Sequence, residues 1–172
     1  MESKHNPVKK LTVAAVLMAM NIIMSISALS IPVPGGHMYL NDVIIVTAAV
    51  LLDPLYALLV GGVGAFIGDM LFYPPPMFVS LVTHGLQAVV VSLISHRILK
   101  RRQALASGIG VIVGAIIMVI GYTLGRAYVY STLEYSLIKL PFEIVQAGFG
   151  AVFSMVVCYP LRLREMYLKV VH

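Results

Sequence analysis

Polar and ionisable side chains recur at helical spacing in three segments that are otherwise apolar. Residues four and seven positions apart share one face of a helix, so each set forms a polar stripe. The three stripes are Ser80, His84 and Gln87; Tyr122, Arg126 and Tyr130; and Lys139, Glu143 and Gln146. Ionisable groups inside a membrane are costly and usually mark a functional site. The stripes therefore predict a small-molecule pocket built by three helices.

Arg126 and Glu143 are the strongest candidates for ligand contacts. The guanidinium offers a fork of donors, and the carboxylate offers acceptors, to polar groups of a solute. The alternative is an ion pair that only allows both residues to lie in the membrane. His84, with Gln87 beside it, either bonds a heterocycle or bridges helices. No metal site is expected, because His84 and His96 are far apart on one helix without Cys or acidic partners.

The composition is that of an integral membrane protein. The 172 residues are 60% hydrophobic and only 11% charged, with a mean hydropathy of +0.96, whereas soluble domains carry about 25% charged residues. The net charge of +5 is spread over short loops, which argues against nucleic-acid binding. Phosphate-binding and hydrolase motifs are absent from the sequence, so no ATPase of its own is expected. The whole chain, residues 1–172, is predicted to form a single domain.

The apolar pattern predicts an all-α integral membrane bundle of six transmembrane helices. The predicted spans are Leu11–Leu29, Leu40–Leu52, Leu55–Phe72, Met77–Ile98, Ser107–Val129 and Leu140–Leu161. The first has spanning length rather than the length of a secretory signal. A proline- and glycine-rich loop at about residues 30–39 is the best candidate for a lid, with Gly35 and Gly36 as a hinge and His37 and Tyr39 towards the ligand. A plain connector is the alternative.

Basic residues are concentrated on the side of the membrane that holds both termini. They are Lys4, Lys9, Lys10, Arg97, Lys100, Arg101, Arg102, Arg162, Arg164 and Lys169. Only Lys139, with Arg126 near it, falls on the other side, so both termini are predicted to be cytoplasmic. The stripes then lie towards the outside, where Asp69, Asn41 and Asp42 join them, although the last two could simply cap the second helix. A cup open to the outside is expected rather than a channel.

Taken together, these features resemble the substrate-binding S component of energy-coupling factor (ECF) vitamin transporters over essentially the whole chain. The resemblance rests on six spans in 172 residues with both ends inside, the proline- and glycine-rich loop, and the polar face of the sixth helix. It also rests on Ala15-x-x-x-Ala19 and on the stretch from Asn41-Asp42 through Asp53-Pro54-Leu55-Tyr56-Ala57-Leu58-Leu59-Val60-Gly61-Gly62-Val63-Gly64 to Asp69.

The resemblance implies a non-enzymatic subunit, without a cofactor, that binds a vitamin or its precursor from outside. It implies docking through Ala15 and Ala19 to a membrane T component, which two cytoplasmic ATPases drive. The expected location is the plasma membrane of a bacterium, as a multi-pass protein among lipids and without a nucleic-acid partner. The residues expected to bind substrate are His37, Tyr39, Asn41, Asp69, Ser80, His84, Gln87, Tyr122, Arg126, Lys139, Glu143 and Gln146.

The members that the chain resembles most are assigned to hydroxymethylpyrimidine or pyridoxine, and riboflavin and pantothenate are alternative ligands. Two other functions stay open. One is a self-sufficient small secondary transporter or channel for a polar solute, formed by oligomers of this chain. The other is a membrane enzyme with Glu143 and His84 as acid and base.

Overall fold

The computed structural model describes residues 7–26, 30–98 and 102–171 as a helical bundle with one small β-hairpin. In chain order the elements are α1 (Pro7–Met24), β1 (Ile31–Val33), β2 (Gly36–Met38), α2 (Asp42–Leu51), α3 (Pro54–Phe72), α4 (Met77–Arg97), α5 (Gln103–Tyr130), α6 (Leu133–Cys158) and α7 (Leu163–Val171). The predicted end of the first span and three of the basic residues lie outside the described residues; these are Leu29, Lys4, Lys100 and Arg101.

Within the described part of the chain, five helices are long and apolar enough to cross a membrane: α1, α3, α4, α5 and α6. Helix α2 has 10 residues and is about 15 Å long, half the roughly 30 Å of a bilayer core. It lies among α1, α4 and α6, and its Ile45, Ala48 and Ala49 are fully buried. Because protein surrounds it, a short apolar helix is sufficient there. The predicted second span is therefore a short buried helix, and the orientation of the termini stays a prediction.

Helix α6 begins earlier than the sequence pattern predicts. The Thr132 side chain accepts a hydrogen bond from the Tyr135 backbone N–H at 3.4 Å and caps the helix. The segment from Leu133 to Lys139, which precedes the predicted span Leu140–Leu161, is consequently helical. Pro141 lies inside the helix, which neighbouring helices of a membrane bundle can accommodate. This correction places Lys139 in the second turn of α6.

The loop predicted at residues 30–39 contains a two-stranded antiparallel hairpin, which is a local correction to the all-α prediction. Strands β1 and β2 pair with Pro32 opposite His37. Gly35 and Gly36 form the turn with φ angles of +82° and +140°, which side-chain-bearing residues rarely adopt. A Cβ on Gly35 would also lie 3.1 Å from the Cβ of Lys139. The hairpin therefore packs directly on α6.

A π-helical turn interrupts α3 at Leu59–Val63, and another ends α5 at Arg126–Tyr130. Such turns leave backbone groups without their usual helical partners and are frequent at functional sites. At the turn in α3, the backbone oxygen of Val60 accepts a hydrogen bond at 2.7 Å from the buried side chain of Asn21, which belongs to α1. In α5, the turn begins at Arg126, where the chain reaches the cavity described below.

Helix α7 occupies the segment in which the sequence shows only a basic tail. Tyr167 and Val171 are buried in its contact with α1 and α6, whereas Glu165 and Lys169 are exposed. The buried side of α7 therefore packs on the bundle, and its exposed side carries Met166 and Val170 as well as the two charged residues.

Candidate substrate-binding site

A cavity of about 450 Å³ lies between the hairpin and α3, α4, α5 and α6. Its volume is within the range of sites for small molecules. The residues that line it are Gly35, Gly36, His37, Tyr39, Asn41, Ala65, Asp69, Tyr73, Pro76, His84, Tyr122, Arg126, Tyr130, Ser131, Tyr135, Lys139, Glu143 and Gln146. Of the residues predicted to bind substrate, Ser80 and Gln87 do not line the cavity, and all the others do.

Three charged side chains meet on the wall formed by α5 and α6. Arg126 donates from Nη1 to Glu143 Oε1 at 2.8 Å, and Lys139 Nζ lies 3.7 Å from the same oxygen. The side chains of Arg126 and Glu143 are only 10% and 3% exposed. The ion pair considered above as the alternative to ligand binding is thus formed. Both partners nevertheless line the cavity, so a polar group of a ligand can compete for either of them.

The hairpin is joined to α6 by two hydrogen bonds. Lys139 Nζ donates to the backbone oxygen of His37, and the backbone N–H of Tyr39 donates to Gln146 Oε1 at 3.0 Å. The phenol of Tyr39 lines the cavity below the hairpin. Burial raises its pKa, and the negative charge of Asp69 raises it further, so this phenol stays a neutral donor near pH 7.

Hydrogen-bonded hydroxyl groups lie behind the wall formed by α3, α4 and α5. The Ser80 hydroxyl donates to the carboxylate of Asp69 and lies 2.5 Å from the phenolic oxygen of Tyr122. Because a carboxylate only accepts, Ser80 donates to Asp69, and its oxygen accepts the hydrogen bond that the Tyr122 hydroxyl donates. Ser80 is fully buried. It therefore orients two cavity residues and does not itself reach the cavity.

Gln87 is below the cavity floor, one turn along α4 from His84. Its Oε1 lies 2.7 Å from His84 Nδ1, and its Nε2 donates to Asp42 Oδ1 at 3.4 Å. Three residues of helix correspond to roughly 4.5 Å along the axis, which explains why the same stripe reaches the cavity at His84 and not at Gln87. Gln87 therefore supports His84 from below.

Comparison with known proteins decides the family. The family model described as "ECF-type riboflavin transporter, S component" matches residues 5–163. A curated relative from Pyrococcus woesei, described as an uncharacterized protein in a gap 3′ region, is 33% identical over 136 residues, which are 78% of this chain and 89% of the relative. This chain belongs to the S-component family of ECF transporters.

A solved structure of the S component of a bacterial ECF transporter shares the fold, with a TM-score of 0.67 and 21% identity. The superposition covers 95% of this chain and 99% of that chain. As a member of this family, the chain is a substrate-binding transport subunit and not an enzyme, and S components work with a T component and ATPases. The apolar helices agree with a membrane protein.

The cavity of this S component also contains residues outside the set predicted to bind substrate, although Tyr130 belongs to one of the polar stripes. They are Ala65, Tyr73, Pro76, Tyr130, Ser131 and Tyr135, together with the hinge residues Gly35 and Gly36. The available signal was the group of tyrosines on the outer side, but an interfacial aromatic belt explains such a group equally well. The structure distinguishes one of them, because the Arg126 guanidinium lies 5.7 Å from the centre of the Tyr130 ring.

Asn41 lines the cavity and connects it to α1. Its side chain makes no capping hydrogen bond to α2, so the interpretation as a simple helix cap is wrong for this residue. Instead, Nδ2 donates to Asn21 Oδ1 at 3.2 Å, and Asn21 is fully buried on α1. Ala15 and Ala19 lie on the exposed side of the same helix. Their predicted role in docking is taken up below.

Proposed function

We propose that this S component captures riboflavin from outside the cell and passes it to a T component and two cytoplasmic ATPases for uptake. The match of the riboflavin-type S-component model to residues 5–163 carries this proposal. The cavity volume of about 450 Å³ supports it, because a three-ring vitamin with a polyol tail fills such a space better than a single ring does.

The chemistry of the lining residues also fits riboflavin. Its ring system has a polar edge of carbonyl and N–H groups, and its tail has several hydroxyls. Arg126 and the neutral phenol of Tyr39 can donate to the carbonyls, and the carboxylates of Glu143 and Asp69 can accept from the hydroxyls. The ring of Tyr130, on the same wall as Arg126, offers an aromatic surface for stacking.

Hydroxymethylpyrimidine and pyridoxine, which the sequence resemblance favours, are the second candidates. Both are smaller polar rings that the same donors and acceptors can hold. Pantothenate is a third, because Arg126 and Lys139 are two cations that share the single carboxylate of Glu143. An acidic vitamin could supply the second negative charge.

The exposed strip on α1 supports the proposed docking to the T component. Ala15 and Ala19 are small and exposed, one turn apart on one face, and the opposite face of α1 is packed in the bundle through Asn21. Small side chains allow close helix approach in a membrane, where packing rather than the hydrophobic effect drives association.

The deciding experiment is a binding assay on the purified full chain in detergent. Mass spectrometry of extracted small molecules comes first, followed by titration of ligand-depleted protein with riboflavin, hydroxymethylpyrimidine, pyridoxine and pantothenate. We expect stoichiometric riboflavin binding that quenches the flavin fluorescence, and competition by the other three only at far higher concentrations. Tight binding of another vitamin without riboflavin binding would refute the proposed substrate.

Two controls make that assay specific for the cavity. Glu134→Gln is matched to Glu143→Gln, because both change a glutamate on α6 but Glu134 is exposed and away from the cavity. Only the change at position 143 should weaken binding. Reconstitution in liposomes tests the role as a subunit: concentrative uptake by this chain alone would contradict it and favour a self-sufficient transporter.

A further inference from the structure

A buried carboxylate below the cavity floor is held by two amide side chains. Asp42, the first residue of α2, is 1% exposed. Its Oδ2 accepts from Gln146 Nε2 at 2.7 Å, and its Oδ1 accepts from Gln87 Nε2 at 3.4 Å. Among the described residues, the ion-pair neighbour of Asp42 within 4.0 Å is His84, whose Nδ1 is 3.7 Å from Oδ1. Asp42 thus joins α2 to α4 and α6.

This arrangement fixes which end of each amide faces the carboxylate. A carboxylate only accepts hydrogen bonds, so Gln87 and Gln146 must present their NH₂ groups to it. Their carbonyl oxygens then point to the other neighbours, which are His84 Nδ1 for Gln87 and the backbone N–H of Tyr39 for Gln146. The second contact agrees with this assignment independently, because a backbone N–H requires an acceptor.

The same logic places a proton on Nδ1 of His84. Both polar neighbours of Nδ1, the Gln87 oxygen at 2.7 Å and the Asp42 oxygen at 3.7 Å, are acceptors, so Nδ1 carries a proton. In the neutral ring, Nε2 then holds a lone pair. Since His84 lines the cavity and its Nδ1 is engaged below the floor, Nε2 is the ring nitrogen left for a ligand.

Close packing keeps this group of residues in place. A Cβ on Gly150, one turn after Gln146 on α6, would lie 2.7 Å from the Asp42 Cβ. A Cβ on Gly114 of α5 would lie 3.3 Å from the Gln87 Cγ. Both glycines allow a neighbouring helix to approach until the amides reach their partners, which leaves little freedom for either side chain to move away from Asp42.

We propose that Asp42 is a positioning residue that sets the hydrogen-bond polarity of the cavity floor. Through Gln87 it holds His84 in the Nδ1–H form, so that the ligand must offer an N–H or O–H donor to Nε2. Through its hydrogen bond with Gln146 Nε2, it also orients Gln146 Oε1, which accepts from the backbone N–H of Tyr39 next to the hairpin. The proposal assigns the ring N–H of riboflavin, and not a hydroxyl of its tail, to His84 Nε2, and this assignment rests on the proposed function.

The first test is independent of any ligand. Nitrogen-15 spectra of histidine-labelled protein near pH 7.5 distinguish the two neutral tautomers from the doubly protonated ring, and a His84→Asn sample assigns the signal. We expect the Nδ1–H form in the wild-type protein. An Nε2–H form or a doubly protonated ring would overturn the proposal, because neither presents a lone pair at Nε2.

The second test compares riboflavin with 3-methylriboflavin, in which the ring N–H is blocked. Wild-type protein should bind the methylated compound about tenfold or more weakly, as expected for a lost hydrogen bond. Asp42→Asn introduces an NH₂ group that can turn one amide over, so it should shift the His84 signal and reduce this discrimination. Asp53→Asn is the matched control, because Asp53 is exposed and pairs with Lys10 away from the cavity.

The outcomes separate this proposal from the proposed substrate. If riboflavin does not bind at all, the substrate is wrong and the wild-type spectrum still decides the polarity. If riboflavin binds and the methylated compound binds equally well, the donor requirement is wrong. If Asp42→Asn folds and leaves the His84 signal unchanged, Asp42 is not the positioning residue. If Asp42→Asn does not fold, the wild-type spectrum still decides the tautomer of His84, and the ratio of the two affinities still decides whether the ligand must donate to Nε2.

Discussion

The charged group of Arg126, Glu143 and Lys139 predicts an unequal response to removal of its members. Glu143→Gln leaves two buried cations without their shared carboxylate, and loss of one partner of a buried pair is worth about 3 kcal/mol or more of stability. Arg126→Met leaves Glu143 with Lys139, 3.7 Å away, so the expected loss is smaller, about 1.5 kcal/mol. The double variant should be more stable than Glu143→Gln alone, because it removes one of the two unpaired cations.

Unfolding of the ligand-free protein in mixed micelles measures these differences, and the three variants with wild type form a double-mutant cycle. Glu134→Gln, an exposed change in the first turn of the same helix, should have a much smaller effect, about 0.5 kcal/mol, because it removes only a favourable charge at the helix N-terminus. Each single variant should also weaken ligand binding about tenfold or more, because each removes a charged hydrogen-bonding group from the cavity wall. Equal destabilisation by both single variants would refute the shared-carboxylate reasoning. Unchanged affinity with lowered stability would show that the pair is only structural.

Three further predictions concern the docking face, the hairpin and α7. Ala15→Leu or Ala19→Leu should abolish uptake by the complete transporter and leave ligand affinity intact. The control Ala104→Leu, at an exposed site on α5, should permit uptake. A loss of ligand affinity as large as the loss of uptake would show that the alanines serve internal packing. Gly35→Ala forces a side chain into φ +82° against α6, so it should speed ligand dissociation in a stopped-flow assay; an unchanged rate would separate the hairpin from ligand retention. Burial raises the pKa of Tyr167 to about 12, above the value near 10 of an unfolded chain, so the folded state holds this proton longer and stability should fall as pH rises from about 10 to about 12. Tyr167→Phe should make that fall shallower in alkaline unfolding curves, and an identical curve would exclude this origin.

The polar stripes could be predicted from sequence because helix geometry is local. Spacings of four and seven residues put His84, Arg126, Lys139 and Glu143 on definite faces whatever the rest of the chain does, and costly intramembrane charges must face protein or water. All four line the cavity. The depth of each residue is a different matter, because it depends on how far neighbouring helices shift along one another. For that reason the sequence could not predict that Gln87 lies below the floor, although it shares a stripe with His84.

Contacts between distant segments could not be derived in the same way. The bond from Gln146 to Asp42 joins residues 104 positions apart, and the bond from Lys139 to the His37 carbonyl joins residues 102 positions apart. The periodicity of polar and apolar residues within a segment does not predict such pairings. The hairpin could not be predicted from sequence either. Each strand has only three residues and β1 contains a proline, so the pattern is too short to distinguish a strand from a loop.

The short length of α2 is what makes room for the cavity. Helices α4 and α6, with 21 and 26 residues, are roughly 32 and 39 Å long, whereas α2 is about 15 Å. The space that a full-length helix would occupy is left to the hairpin above and to the cavity between. The chain enters α2 at Asn41 and Asp42, so the start of this helix is also the floor of the site, with Asn41 lining it and Asp42 bonded below. Extending α2 at its N-terminus would therefore fill the cavity, although the sequence of the polar stripes that first indicated a site would be unchanged.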